Sequence, residues 1–268
     1  MQQNVLMWVY ELPLWLGMPI FTALAVGASW LILIGLRRWV RHSSDGSGEW
    51  DRILGYAVSV YGVFYGVTLA LIASAAYANF SDVDSIVLEE SSSVAVLYRD
   101  ASGFPEPERS DLQRLLTGYT NRVIQVEWPQ QAAGDVPGET VDEVDAIQKI
   151  LFTFEPQTAA QTAVQQDSIS AFNQFVADRR ARIAVTELQL PGVLWVVLSV
   201  GAVLNAVLLG LIEVRSLRVH LVMSGLIAVF VAMLIFAIAG FDRPYSGPIS
   251  VTPTYFVELQ AGLLQHDG

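Results

Sequence analysis

Four stretches of the chain, 14–36, 53–78, 190–212 and 221–241, are apolar throughout and contain no Asp, Glu, Lys or Arg. Each is long enough for a helix, rising about 1.5 Å per residue, to cross hydrocarbon about 30 Å thick. The pattern predicts an all-α integral membrane protein with four transmembrane helices in two hairpins and a soluble helical bundle inserted between them. The first stretch does not read as a cleaved leader. The tail before Pro13 lacks Lys and Arg, the stretch is too long, and basic residues follow it.

Polar positions set the rest of the layout. After the second stretch the apolar period continues at Val83, Val87, Val94, Leu97 and Ala101, and no Pro occurs between Asp51 and Ser102. One helix is therefore predicted to run from the membrane into the domain. Gly103, Pro105 and Pro107 make a turn. A second helix carries Leu112, Leu116, Tyr119, Val123 and Val126 and is predicted to stop near Trp128-Pro129. A third carries Val144, Ile147, Leu151 and Phe154 and stops at Pro156, and a fourth carries Ile169, Phe172, Val176 and Ile183. Each stripe is one core-facing side of a helix, and four such helices form a bundle. The predicted organisation is 1–79, a first hairpin; 80–190, an acidic helical domain; 191–241, a second hairpin; and 242–268, a turn and a short amphipathic helix. In that last piece Thr252-Pro253 has the form of a helix start, with Phe256, Leu259 and Leu263 on one side.

Charge gives an orientation. Arg37, Arg38, Arg41 and Arg52 lie between the first two stretches, and Arg215 and Arg218 between the last two. The excess of arginine in short loops predicts that both loops are cytoplasmic, which puts the termini and the inserted domain on the outer side of the cell membrane. Residues 81–189 hold 18 acidic and 8 basic side chains, so nearly all of the net charge of −11 belongs to that domain. Such an acidic balance excludes nucleic acid as a partner.

Composition then narrows the chemistry. The 268-residue chain has no Cys, which removes disulfides, thiolate metal sites and a Cys nucleophile. The three histidines, His42, His220 and His266, are too scattered for a metal site, and solvated loop positions are expected for the first two. No HExxH, GxSxG or phosphate-loop motif occurs. The reading is of a non-enzyme with no cofactor, no catalytic or metal residues, and the lipid bilayer as its surroundings.

Several ordered motifs carry a resemblance. They are Leu97-Tyr98-Arg99-Asp100, Pro105-Glu106-Pro107, Tyr119, Glu127-Trp128-Pro129 and Pro191-Gly192-Val193-Leu194-Trp195. Asp242-Arg243-Pro244-Tyr245-Ser246-Gly247 and Val251-Thr252-Pro253 complete the set, of which Asp242, Arg243, Pro244 and Gly247 mark the exit from the last span. Together they resemble the bestrophin-like family of bacterial membrane proteins, remotely similar to bestrophins. That resemblance implies pentameric anion channels with an apolar constriction on the second membrane helix. It also implies a cytosolic large domain, opposite to the side implied by the arginines.

Beside that resemblance, the second stretch gains a functional reading. Gly55, Ser59, Gly62, Gly66, Ala70 and Ala73 recur every three or four residues and form a small-residue stripe. Such a stripe packs helices closely, within one chain or between copies. Val60, Phe64 and Leu71 lie on the other side and are the candidate pore or gate, with lipid contact as the alternative. In the domain, Glu90 and Arg179 each sit on an apolar stripe and are expected to meet as a buried ion pair, a clamp or an ion- or proton-sensing site. Glu89 should face solvent. Asn205 is expected to bond to a neighbouring helix, and Asp242 to cap or pair locally with Arg243. The functional expectation is a homo-oligomeric channel for ions, anions by resemblance. The alternative is a non-conducting membrane sensor or accessory protein whose outer domain binds a ligand or partner.

Overall fold

The computed structural model describes residues 12–43, 49–138, 141–247 and 249–262. The tail before Glu11, Leu263 and His266 lie outside the described residues, as do the side chains of Arg38, Arg41 and His42. The described residues are overwhelmingly helical and contain no strand. The helices are α1 (Leu14–Ser43), α2 (Glu49–Ala101), α3 (Glu108–Arg122), α4 (Trp128–Ala133), α5 (Asp142–Thr153), α6 (Ala159–Ala184), α7 (Gly192–Gly210), α8 (Leu217–Asp242) and α9 (Thr254–Gly262). A π-helical turn, Val123–Glu127, joins α3 to α4.

The chain divides into two compact units. The first contains Met1–Asn79, Gln189–Arg243 and Gly247–Ile249, and the second Phe80–Leu188, Pro244–Ser246 and Ser250–Gly268. The long α2 contributes to both, because its apolar register runs unbroken to Ala101 with no Pro to stop it.

In the first unit, α1, α2, α7 and α8 are each long and apolar enough to cross a membrane. Only 11–28% of the residues in their most apolar windows are buried inside the chain, so most of their apolar surface awaits lipid or another protein surface. Aromatic groups fix the internal contacts. Trp30 on α1 donates from Nε1 to the Leu221 carbonyl at 3.0 Å, and Phe21 packs against Phe236 with centroids 5.8 Å apart. Tyr61 and Tyr65 on α2 donate to the carbonyls of Gly201 (2.6 Å) and Leu198 (2.8 Å) on α7. Gly201 permits this approach, since a Cβ there would lie 2.1 Å from the Tyr65 ring.

That last contact yields a prediction. Gly201→Val should destabilise the detergent-solubilised protein by about 1–3 kcal/mol, the usual cost of overpacking. Gly62→Val should leave thermal unfolding of the monomer unchanged, because nothing lies within 4 Å of a Cβ at Gly62. Equal melting shifts for the two variants would mean that Gly201 is not the close-approach point.

The second unit has one apolar core. Val83, Val87, Val94 and Leu97 of α2 meet Leu112, Leu116 and Tyr119 of α3, Val144, Ile147 and Leu151 of α5, and Phe172 and Phe175 of α6. The C-terminal helix α9 belongs to this core through Phe256 and Leu259. It is held by polar ties as well: Gln260 Nε2 donates to Asn121 Oδ1 at 2.6 Å, and Tyr255 donates to Asp84 at 3.1 Å. The preceding turn needs Gly247, whose φ of 90° is in the left-handed region that favours glycine.

One predicted boundary and two predicted core positions are corrected. The second domain helix does not stop near Trp128-Pro129 but continues through the π turn into α4, with Pro129 in the first turn of that last segment. The wider π turn shifts the register by about one residue. Val126, expected on the core side, is therefore 45% exposed, while Glu127 is 3% exposed. In α6 the buried face centres on Phe172, Phe175, Arg179 and Arg182, and Val176 is only half-buried.

Candidate functional site

Two features of the molecule carry charge or an uncovered face, one in each unit. In the second unit α2, the π turn and α6 bring four charged side chains into the protein interior. Glu90 comes from α2, Glu127 from the π turn, and Arg179 and Arg182 from α6, all between 0% and 3% exposed. Arg179 holds Glu127 in a two-pronged pair, Nη1 to Oε2 at 2.9 Å and Nη2 to Oε1 at 2.8 Å. Its Nη2 also donates to the Gly138 carbonyl at 2.9 Å and its Nη1 to the Tyr119 hydroxyl at 3.0 Å. Arg182 donates to both oxygens of Glu90, to Glu127 Oε2 at 2.6 Å and to Gln131 Oε1 at 2.5 Å. Tyr119 donates its own proton to Glu90.

The expected Glu90–Arg179 pair is thus corrected. Both residues are buried, but Glu90 takes Arg182 and Arg179 takes Glu127, with the Tyr119 hydroxyl linking the two halves. Arg182 lies one turn of α6 beyond Arg179, on the face that the shifted burial of that helix turns inward. Glu89 is exposed, as the register of α2 requires.

The network is neutral and closed. Two carboxylates face two guanidiniums, and each carboxylate oxygen accepts at least one hydrogen bond. Burial pushes the Glu127 carboxyl up, but hydrogen bonding to Arg179 and the charge of Arg182 outweigh it and hold Glu127 below the usual carboxylate range. Burial, and then the charge of Glu90, raise the Tyr119 hydroxyl well above its ordinary value, so it stays protonated and donates. Burial opposes the charge on Arg182, yet Glu90 and Tyr119 more than offset it. Tyr245 is also pushed up by burial, and its hydroxyl donates to the Arg182 carbonyl at 3.4 Å. The arrangement ties α2, α3, the π turn, α4 and α6 into one register.

In the first unit α2 buries Leu54, Tyr65, Leu69, Ile72 and Ala76, and these define its inward side. The small-residue stripe is not that side. Gly55, Gly62 and Gly66 have no neighbour within 4 Å of a built Cβ, Ser59 and Ala70 are exposed, and Ala73 is half-buried. The stripe is therefore free for contacts beyond the chain. Val60, Phe64 and Leu71 are uncovered too, Phe64 to 70%.

Three other residues fall differently from expectation. Asp242 feels the charge of Arg243 but also acts at long range: its Oδ1 accepts from the Leu190 amide at 2.6 Å and its Oδ2 from Trp195 Nε1 at 3.2 Å, tying the end of α8 to the start of α7. His220 is buried rather than solvated, and its Nε2 donates to the Leu209 carbonyl at 2.9 Å. Asn205 has no hydrogen bond to a described residue and lines a cavity between helices.

The residues tied down by this geometry include most of the motifs that suggested a family. Trp128 stacks edge-on against Tyr245, Glu127 sits in the charge network, and Asp242 clasps Leu190 and Trp195. The sequence profile of the bestrophin-like domain matches residues 23–256, most of the chain. The chain belongs to the bestrophin-like family. Among solved structures, this bestrophin-like chain is similar to crystal structures of two point variants of a bacterial bestrophin homologue from Klebsiella pneumoniae. For one the TM-score is 0.62 at 13% identity, covering 92% of this chain and 99% of that one. For the other the TM-score is 0.52 at 12% identity, covering 91% and 97%. At such identity the likeness establishes a bestrophin-like fold. No curated protein matches the chain.

Proposed function

We propose that this bestrophin-like protein is one subunit of a homo-oligomeric, membrane-spanning ion channel. Its α1, α2, α7 and α8 form two membrane hairpins, at 1–79 and 191–241. The segment 80–190 forms an acidic helical domain on the outer side of the cell membrane, and 242–268 a turn and short helix. The observation that carries the reading is the uncovered side of α2. A helix long enough to span the membrane leaves most of its small-residue stripe, and Phe64, largely uncovered by the chain. Copies of α2 packed through the stripe and facing a common axis with Val60, Phe64 and Leu71 make an apolar constriction, which gates by dewetting. Family membership supports a channel, and kinship with bestrophins favours anions.

The orientation rests on the arginines. Arg37 Nη2 reaches the Arg215 carbonyl at 3.4 Å, which brings the two basic connections to one end of the first unit. Concentrated arginine in short loops stays cytoplasmic. Paired cytoplasmic and periplasmic reporters should therefore read cytoplasm after Ser47 and the outer side within 132–138. A cytoplasmic signal from 132–138 reverses this orientation and leaves the conduction proposal standing. Ion flux from reconstituted vesicles, with Phe64 replaced, is the test of conduction itself.

A further inference from the structure

A cavity of about 240 Å³ lies among α1, α7 and α8 of the first unit. Six of its fifteen lining residues are alanines, whose short side chains leave the space between the helices unfilled. Its polar lining atoms come from Ser29 on α1 and from Ser199 and Asn205 on α7. None of the lining residues is Asp, Glu, Lys, Arg or His.

The polar groups are the informative part. Ser29 is 6% exposed and makes no hydrogen bond to a described residue. Several other helical hydroxyls in this protein turn back on their own backbone, although Thr22 and Ser168 do not. Ser59 donates to the Gly55 carbonyl at 2.8 Å, Thr68 to Phe64 at 2.9 Å and Ser92 to Leu88 at 2.8 Å. Ser29 forgoes that bond although its helix offers the same carbonyl. Asn205 presents two N–H donors and a carbonyl acceptor, again with no partner among the described residues. Inside a bilayer no bulk water satisfies such groups, so their partner has to come into the cavity.

We propose that this cavity is a binding site for an uncharged amphiphile, a compact alkyl body bearing one hydroxyl or amide group, delivered from the bilayer. The absence of ionisable lining residues excludes a charged ligand, which would lose its hydration with nothing to neutralise it. The Ser29 hydroxyl and the Asn205 amide take the polar head, and the alanines with Phe21 and Ile235 take the body. An engineered cavity of about 150 Å³ binds benzene, so this larger one takes roughly ten heavy atoms, the size of a medium-chain alcohol. Binding here does not depend on whether the oligomer conducts.

The test is photolabelling of the full chain in lipid nanodiscs with a diazirine-bearing octanol, mapped by peptide mass spectrometry. Adducts are expected on the peptides containing Ser29 and Asn205, competed by 1-octanol and poorly by octane. Ala202→Leu, which fills the cavity, should abolish them. Asn205→Leu should weaken octanol competition roughly 3–10-fold, the worth of one hydrogen bond. Ser29→Ala, which removes a single hydroxyl, reads the same quantity should Asn205→Leu fold poorly. The proposal is overturned if adducts fall only on outward residues such as Leu31 and Phe230. Labelling unchanged by Ala202→Leu, or octane competing as well as octanol, overturns it equally.

Discussion

Arg182→Met is expected to destabilise the second unit by about 3–5 kcal/mol, because it leaves buried carboxylates without their counter-charge. Among the described residues Arg182 is the only cation paired with Glu90, and it shares Glu127 with Arg179. Removing it strands Glu90 in a region where neither carboxylate oxygen meets water, with only the Tyr119 hydroxyl left to solvate it. Arg179→Met should cost less, since Glu127 keeps Arg182. The double change Glu90→Gln with Arg182→Met should recover much of the loss, because breaking a buried pair costs more than deleting it. Pulse proteolysis reporting cleavage within α3 and α6 measures all three, and an Arg182→Met protein as resistant as the parent refutes the clamp. Acid should act through the same cluster. The Glu127 carboxyl is held below its ordinary value, so its contribution is fully present above the unfolded value of about 4.3 and is lost as pH falls through the lower folded value.

The long apolar helices were readable because hydrocarbon imposes a requirement on composition and length that almost no other fold imposes. The helices now called α1, α2, α7 and α8 stand where uninterrupted apolar runs predicted them. The charge network was only half readable. Glu90 and Arg179 betrayed themselves as charges on apolar stripes, but their true partners did not. Glu127 was hidden by the π turn, since a regular 3.6-residue period assigns Val126 to the core and Glu127 to water. Arg182 was hidden because adjacent Arg179, Arg180 and Arg182 look like a solvated basic face, and a few tens of degrees decide which of them turn inward. The tyrosines of α2 gave no signal that they would bond to α7 carbonyls. That contact is a property of two helices, and its enabling residue, Gly201, is one glycine in an apolar run. The long-range hydrogen bonds of Asp242 gave no signal for a similar reason: its partners Leu190 and Trp195 are 52 and 47 positions away.

Vesicles carrying Phe64→Ser are expected to release ions faster than vesicles carrying the parent protein. In the proposed channel the constriction is apolar, and water leaves a narrow apolar segment readily. A hydroxyl at that height, repeated in every copy, favours wetting. Lowering the barrier by about 1.4 kcal/mol raises the rate roughly tenfold. The change is well placed for an interpretable result. Phe64 is largely uncovered in the chain, whereas the contacts that hold α2 to α7 run through Tyr61, Tyr65 and Gly201. The fold should therefore survive, and circular dichroism with size-exclusion chromatography checks that it does. Parallel runs with potassium chloride and with a salt of a large organic anion separate anion from cation permeation. A non-conducting sensor gives the opposite pattern: Phe64 then faces lipid, and both proteins leak no faster than empty vesicles at every pH and in every salt. That result, from protein shown to be folded and oligomeric, would eliminate the channel and leave the second unit as the part that acts.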